Sequence, residues 1–257
     1  MPNQESDMRD LLSARFFGEL DLLQGYWQMP LAEEAQEIFT ITTPLSLFTP
    51  KRVPQGVLNA TVYFQGIITE LLVGLKCKIW VDGVFFFADT KDECFYTLDA
   101  ILSRLENVGL FAAAYKGTFF ASELVWCGKV YSHGRVSHDP VRLQGLSDMR
   151  RPETAAELMQ FLQAVNWLRT SLPRMAKTVA PLRFFLEELM AGAARRTKRV
   201  AKKRAISPAS WTEGRFQAWA AAKDLVAHAT TLFHPRPDRQ VLMFPDASEC
   251  HWGVILR

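Results

Sequence analysis

The sequence of 257 residues lacks any apolar run long enough to cross a membrane. Its longest apolar stretches, such as Val84–Ala88, fall far short of the roughly 18 residues a helical span needs. A secretory leader is also missing: Met1–Asp10 is polar and mixed in charge, so an intracellular protein is expected, in cytoplasm or nucleus. Cysteine is scarce, and Cys77, Cys94, Cys127 and Cys250 are never in CxxC spacing, which excludes a zinc ribbon or a disulfide framework. Reduced thiols are expected. Tandem repeats and low-complexity tracts are absent. Apolar material is plentiful: 49% of the residues are hydrophobic, which excludes a mainly disordered chain and suffices for one or two cored domains.

A general excess of positive charge is lacking too. Seven basic residues (Arg195, Arg196, Lys198, Arg199, Lys202, Lys203, Arg204) lie together with no acid among them, while the whole chain carries only +3. Everything outside that run therefore sums to −4. The protein reads as a mildly acidic globule with one concentrated basic segment. That segment suits phosphate contacts or a nuclear-import patch, and equally a solvated linker between helices. It holds no aromatic residues, the mark of single-strand stacking sites.

Phe16–Leu23 reads as a strand carrying one acid, Asp21, and ending in the turn Gln24-Gly25. Ile38–Thr42 is strand-like, and Pro44, Pro50 and Pro54 break any longer element there. The apolar residues Val62, Phe64, Ile67, Ile68, Leu71 and Leu72 suit a helix over 60–72. Ile79-Trp80-Val81, Asp82-Gly83 and Val84–Phe87 read as strand, two-residue turn and strand. Thr90 and Glu93 form a capping pair for a helix whose apolar face is Phe95, Leu98, Ile101, Leu102, Leu105 and Val108, ended by Gly109. Strands are expected over Phe119–Tyr131, with a turn at His133-Gly134. Helices follow at Thr154–Leu168, Pro181–Ala194 and Thr212–Ala229, then a strand pair at Val241–Phe244 and Trp252–Leu256.

Asp21 and Asp82 both stand at strand ends or turns within apolar surroundings, where a carboxylate needs a hydrogen bond, a cation or a metal. Two such acids from separate strands suit Mg²⁺, a hard ion that accepts carboxylates, phosphates and water. On spacing alone the simpler reading is equally open, with Asp82 a turn former and Asp21 a strand-end cap.

The surrounding residues resemble a known family. Leu20-Asp21-Leu22-Leu23-Gln24-Gly25-Tyr26-Trp27-Gln28 resembles the L-D-L-x-x-G-Y-x-Q motif of reverse transcriptases from gypsy-type LTR retrotransposons. Pro54 through Gln65 resembles the family's P-[FQ]-G-x-x-N-A-P-x-x-F-Q, with Thr61 in place of the second proline. Trp80-Val81-Asp82-Gly83 stands where the family has Tyr-x-Asp-Asp. Lys116 falls on the lysine motif, Trp126-Cys127-Gly128 on the primer-grip hairpin, and Gly134–Pro140 near its closing G-x-x-x-D-P. Arg151-Pro152 through Trp167 and Ala180–Leu182 resemble the connection segment. Phe244–Ser248 with Trp252-Gly253 resembles the opening of an appended ribonuclease H domain. The similarity runs from about Phe16 to Leu256 in the right order.

The resemblance implies an α+β fold: a right-hand polymerase palm lacking most of the fingers, then thumb and connection helices, then the first strands of a truncated ribonuclease H-like domain. The implied divisions are a polar tail at 1–15, palm and primer grip at 16–140, thumb and connection at 141–207 and the ribonuclease H start at 208–257. It implies RNA-directed DNA polymerisation with Mg²⁺ or Mn²⁺ held by Asp21 and Asp82, with Lys116 as acid or charge partner near the pyrophosphate. Tyr26 would crowd a ribose 2′-hydroxyl, and Gln55 and Gly56 would line nucleotide and template. The implied partners are a primed RNA or DNA template, deoxynucleoside triphosphates and the remainder of a Pol polyprotein, with no membrane.

Three departures bear on activity. Gly83 replaces the second hairpin acid, the chain starts almost at Asp21, and Asp246 is only the first of the ribonuclease H acids. Little or no polymerase activity, and no RNA-strand cleavage, are therefore expected of the chain alone. The alternative is a catalytically inactive nucleic-acid-binding remnant, and a weaker third reading is a structural protein reusing the fold.

Overall fold

In a computed structural model, Leu11, residues 13–233, Gln240, residues 242–247 and residues 252–256 are described. Val241, expected to open the first strand of the last pair, and residues 248–251 lie outside them. The chain divides into two compact units. Unit 1 comprises residues 1–126, 131–135 and 234–257, and unit 2 comprises 127–130 and 136–233.

Unit 1 is built on a four-stranded sheet. Strand β1 (Phe16–Asp21) is followed by the short helix α1 (Glu33–Gln36), the small hairpin β2 (Ile41–Thr42) and β3 (Leu47–Phe48), and helix α2 (Ala60–Leu71). Then come β4 (Cys77–Trp80), β5 (Gly83–Ala88), helix α3 (Lys91–Asn107), β6 (Thr118–Ala121) and β7 (Glu123–Trp126). The sheet order is β4-β5-β1-β6 with antiparallel neighbours throughout. Pairing of Asp21 with Gly83 and of Phe17 with Phe87 places the strand carrying the first acid directly beside the hairpin carrying the second.

Alternation along β1 sorts its side chains onto two faces. Leu20, Val84, Phe86 and Ala88 pack with Phe64 and Ile68 of α2 and with Cys94, Ile101 and Leu105 of α3 in one core. On the other face Phe85 meets Phe17, Phe87, Trp126 and Tyr131 at ring-centroid distances between 4.9 and 5.9 Å. Gly18 is small for a reason. A Cβ built there would lie 2.1 Å from Cζ of the fully buried Phe86 ring, closer than any real contact. Gly18→Ala should therefore cost about 3 kcal/mol, the upper range for overpacking a tight core. Urea denaturation would check this, and Phe86→Leu added to the same chain should recover part of the loss.

Two local expectations shift. The hairpin turn is Val81-Asp82, one residue earlier than the Asp-Gly pair suggested, because Gly83 is already the first ladder residue of β5 and pairs with Trp80. Val81 takes the left-handed φ of 59° that a tight turn needs. The apolar face of α3 is also rotated: Cys94, Thr97, Ile101 and Leu105 are buried, whereas Phe95 and Val108 are more than half exposed. Thr90 caps this helix as expected, its Oγ1 accepting from the Glu93 N–H. Burial pushes the Cys77 thiol up to about 11 and that of Cys94 upward too, which suits inert reduced thiols.

Beyond β7 the chain forms β8 (Lys129–Ser132), β9 (Arg135–His138), α4 (Pro140–Ser147), α5 (Ala155–Trp167), α6 (Met175–Leu189), α7 (Lys198–Lys202), α8 (Glu213–Ala227) and β10 (Leu232–Phe233). In unit 2, Leu158, Phe161 and Val165 of α5, Val179, Leu182 and Phe185 of α6, and Trp219 and Ala222 of α8 share one core with Trp211. Helix α6 begins six residues before Pro181 and carries that proline inside it. Helix α4, with Asp139 Oδ1 accepting from the Val141 N–H, was not foreseen as a helix. The expected last strand pair is present and antiparallel, β11 (Met243–Ala247) with β12 (Trp252–Leu256), β11 running later than the expected Val241–Phe244.

Candidate active site

The candidate site forms where β1 ends. Past Asp21 the chain turns through Gln24 and Gly25, both at positive φ, into a 3-10 turn over Gly25–Gln28. The Leu22 N–H donates to the Asp82 carbonyl at 2.8 Å, so the two acid-bearing segments are tied through backbone. The Ala113 N–H donates to the Asp21 carbonyl at 2.7 Å, which brings the Ala114–Lys116 turn to the same edge. Gln28 strengthens this tie: its amide accepts from the Phe111 N–H at 2.6 Å and donates to the Phe111 carbonyl at 3.0 Å.

A polar cavity of about 300 Å³ opens there, lined by Leu22–Tyr26, Gln55, Asp82, Tyr115 and Lys116. Lys116 Nζ reaches Asp21 Oδ2 at 3.2 Å. The ammonium is held above its ordinary pKa, first by that hydrogen bond, then by the charge of Asp21, with Asp82 adding to it. Four residues singled out from the sequence, Tyr26, Gln55, Asp82 and Lys116, thus edge one cavity, with Asp21 joined to it through Lys116. Gly56 is exposed at φ +88° with open space beside its Cα, outside the lining.

The Tyr26 ring is fixed at two points. It meets Phe64 edge-on at 5.5 Å, and its hydroxyl donates to Thr61 Oγ1 at 2.8 Å. Thr61 is the residue that departs from the resembled motif, and here its hydroxyl supplies a partner that proline lacks. Trp126 is buried against Phe85 rather than at the cavity, and Cys127 and Gly128 form the turn that follows, at φ 50° and 78°. Asp246 lies on β11 opposite Gly253, and its side chain is outside the described residues.

Sequence reasoning gave no role to Gln65 or Glu19. Gln65 is buried, and its amide accepts from the Val81 N–H at 2.7 Å and donates to the Ile79 carbonyl at 3.1 Å, bracketing the turn that presents Asp82. A polar residue on the apolar face of α2, between Phe64 and Ile68, was the available signal. Glu19 shares the Asp21 face of β1, and its pKa is raised by burial and then by the charge of Asp21.

Asp82 borders the polar cavity and Asp21 reaches it through Lys116, two carboxylates of the kind a hard cation that keeps waters and accepts phosphate oxygens takes. A third acid is lacking: among the described residues no three His, Cys, Asp or Glu side chains converge. Gly83 stands directly opposite Asp21.

An antiparallel sheet backed by α2 and α3, with one acid at the end of β1 and another in the adjoining hairpin turn, defines a polymerase palm. Residues 2–146 match the family model for reverse transcriptase (RNA-dependent DNA polymerase), and the chain belongs to that family. Its relatives include the enzymatic polyprotein of figwort mosaic virus (strain DxS), 24% identical over all of this chain and 36% of the relative. The retrovirus-related Pol polyprotein from transposon gypsy of Drosophila melanogaster is 25% identical over 71% of this chain and 18% of the relative. The chain therefore spans about a third or less of these relatives. Among solved structures, a foamy viral protease–reverse transcriptase in complex with dsDNA superposes with a TM-score of 0.79 at 19% identity, covering all of this chain and 52% of that one. Among the described residues no helix is long and apolar enough to cross a membrane.

Proposed function

We propose that the chain is the palm, thumb and connection portion of a retroelement Pol polyprotein whose reaction is RNA-directed DNA polymerisation, slowed here by the loss of one acid. The observation that carries this reading is the single cavity edged by Tyr26, Gln55, Asp82 and Lys116, with Asp21 bound to Lys116. In this reading residues 16–140 are palm and primer grip, 141–207 thumb and connection, and 208–257 the opening of a ribonuclease H-like domain. Trp126–Gly128 serve as the primer grip, and Asp246 as a ribonuclease H remnant.

Asp21 and Asp82 would hold Mg²⁺ or Mn²⁺, which when bound supplies charge neutralisation at the transferring phosphoryl group. Lys116, an ammonium at neutral pH, exchanges its contact with Asp21 for the negative charge of the triphosphate. Tyr26, held by Thr61 and Phe64, presents a ring that excludes a ribose 2′-hydroxyl. Gln55 faces the nucleotide, and Gly56, with open space beside its Cα, lets a template backbone approach closely.

The test is primer extension on an RNA template with Mg²⁺ or Mn²⁺. Slow extension is expected, falling by a further factor of about 100 or more in Asp82→Asn, the scale seen when one transition-state charge contact is removed. Extension indifferent to both Asp21→Asn and Asp82→Asn would overturn the assignment. A second reading, a nucleic-acid-binding remnant without catalysis, is favoured by Gly83 and by the lack, among the described residues, of a third converging acid. Template binding with no extension under either metal would select it.

A further inference from the structure

A second cavity, of about 760 Å³, lies in unit 1 between α3 and residues 110–120. Its origin is a surplus of apolar residues on α3. One face, carrying Cys94, Thr97, Ile101 and Leu105, is buried in the core. Beside it Phe95, Leu98 and Leu102 recur at i, i+3 and i+7, a second apolar stripe that core packing leaves unused. Leu20 and Leu105, each 1% exposed, belong to the lining, and around them Phe95, Leu102, Phe111 and Phe119 remain 37–66% exposed. Contiguous apolar surface of this kind on a folded chain marks a place where something binds.

The charge around this cavity is one-sided. Glu106, one turn beyond Leu102 on the same stripe, is the single ionisable side chain in the lining. It is exposed and pairs with no cation among the described residues. It stands in the last turn of a 17-residue helix, where the aligned peptide dipoles add further negative charge. Arg104, in the same turn, is turned away, its guanidinium donating to the Leu71 and Val73 carbonyls at 3.0 and 2.8 Å. Near the start of α3, Lys91 Nζ lies 5.8 Å from the centre of the Phe120 ring, another part of the lining. An aromatic wall of the cavity thus already takes a cation on its face. Lys91 is fifteen residues before Glu106, roughly 22 Å along the helix, too far to neutralise it.

We infer that this cavity is a binding site for a small aromatic molecule carrying one amine cation, its rings among Phe95, Phe111 and Phe119 and its ammonium at Glu106. Size selects a small molecule, since the volume falls within the roughly 300–1,000 Å³ typical of such sites. Charge selects the cation: an anion would meet Glu106 and the helix terminus with like sign. Occupation is felt at the polar cavity, because Leu110–Ala112 and Ala114 line the apolar one and the next two residues, Tyr115 and Lys116, line the other. The inference rests on the apolar cavity alone and does not depend on the polymerase reading.

The test is fluorescence titration of the full chain with three naphthalene dyes: dansylcadaverine, a cation; phenylnaphthylamine, uncharged; and anilinonaphthalene sulfonate, an anion. One cation should bind per chain, about tenfold more tightly than the anion, with the uncharged dye between them. Glu106→Gln should erase most of that preference and leave the affinity for the uncharged dye unchanged. Leu102→Trp fills the hollow from an exposed position, and Leu98→Trp from a deeper one; either should abolish binding of all three dyes, the first with an unaltered urea midpoint. Hydrogen exchange over residues 110–114 should slow when the cation saturates the chain. Tighter binding of the anion, undiminished binding in both filled variants, or slowed exchange confined to segments outside 95–120 would overturn the inference. So would a chain that takes no dye and sediments as a dimer, with Leu102→Glu monomeric, which would assign the face to a second copy.

Discussion

Gly83→Asp is expected to raise Mg²⁺-dependent primer extension by about a thousandfold. Residue 83 opens β5 and pairs with Asp21, so its side chain projects from the same face of the sheet as that acid. The site has room. A Cβ at Gly83 meets only the Trp80 carbonyl at 3.5 Å and Trp126 Nε1 at 3.6 Å, both ordinary contacts, and the backbone there is not in the left-handed region. The indole N–H is placed to donate to the new carboxylate. A charge pair at about 4 Å in an effective dielectric near 20 is worth on the order of 4 kcal/mol. Realised in the transition state, that is roughly three powers of ten in rate. Single-turnover extension would measure it, with Gly83→Asn as the control that matches shape without charge. A similar gain in both variants would mean that the turn had been tightened rather than a ligand restored. A gain in neither would mean that a missing charge at residue 83 does not limit the reaction.

Most of this site is legible in the amino-acid sequence. The order of the acids, the tyrosine five residues after the first, and the lysine after α3 all lie in continuous motifs, and the fold sets Tyr26, Asp82 and Lys116 around one cavity with Asp21 reached through Lys116. What escaped depends on contacts between elements. The Asp82-Gly83 pair has favourable turn chemistry, yet pairing of Gly83 with both Trp80 and Asp21 moves the turn to Val81-Asp82. The face of α3 was assigned from its apolar residues, but docking on β5 selects Cys94 and Thr97 and leaves Phe95 outside. Helix α6 runs through Pro181 because the core around Leu182 and Phe185 outweighs one lost backbone bond. The basic run could not be distinguished from a linker by composition, because the residue that anchors it is a single small alanine.

Gln65→Leu should both destabilise the protein and disable the hairpin. Val81 is β-branched and sits at φ 59°, a conformation that its own side chain disfavours. It is kept there by the Gln65 amide, which accepts the Val81 N–H and donates to the Ile79 carbonyl across the base of the same turn. Leucine matches the volume but leaves a backbone N–H without its partner, at a cost of about 1–3 kcal/mol. The turn is then free to relax toward negative φ, which moves Asp82. Urea denaturation should register a loss of about 2 kcal/mol. In a Gly83→Asp chain, extension should fall by more than the stability loss explains, at temperatures where the variant remains folded. Gln65→Glu separates the two roles. Its buried carboxyl would titrate above the ordinary range, because desolvation penalises the charged form. The neutral acid can accept from Val81 and donate to Ile79 as the amide does, whereas the carboxylate can only accept. Its folded pKa lying above the unfolded one, the variant should be stable below the unfolded value and lose that stability as pH rises through the folded value. A Gln65→Glu chain with no such pH dependence would show that packing, rather than the paired hydrogen bonds, holds the turn.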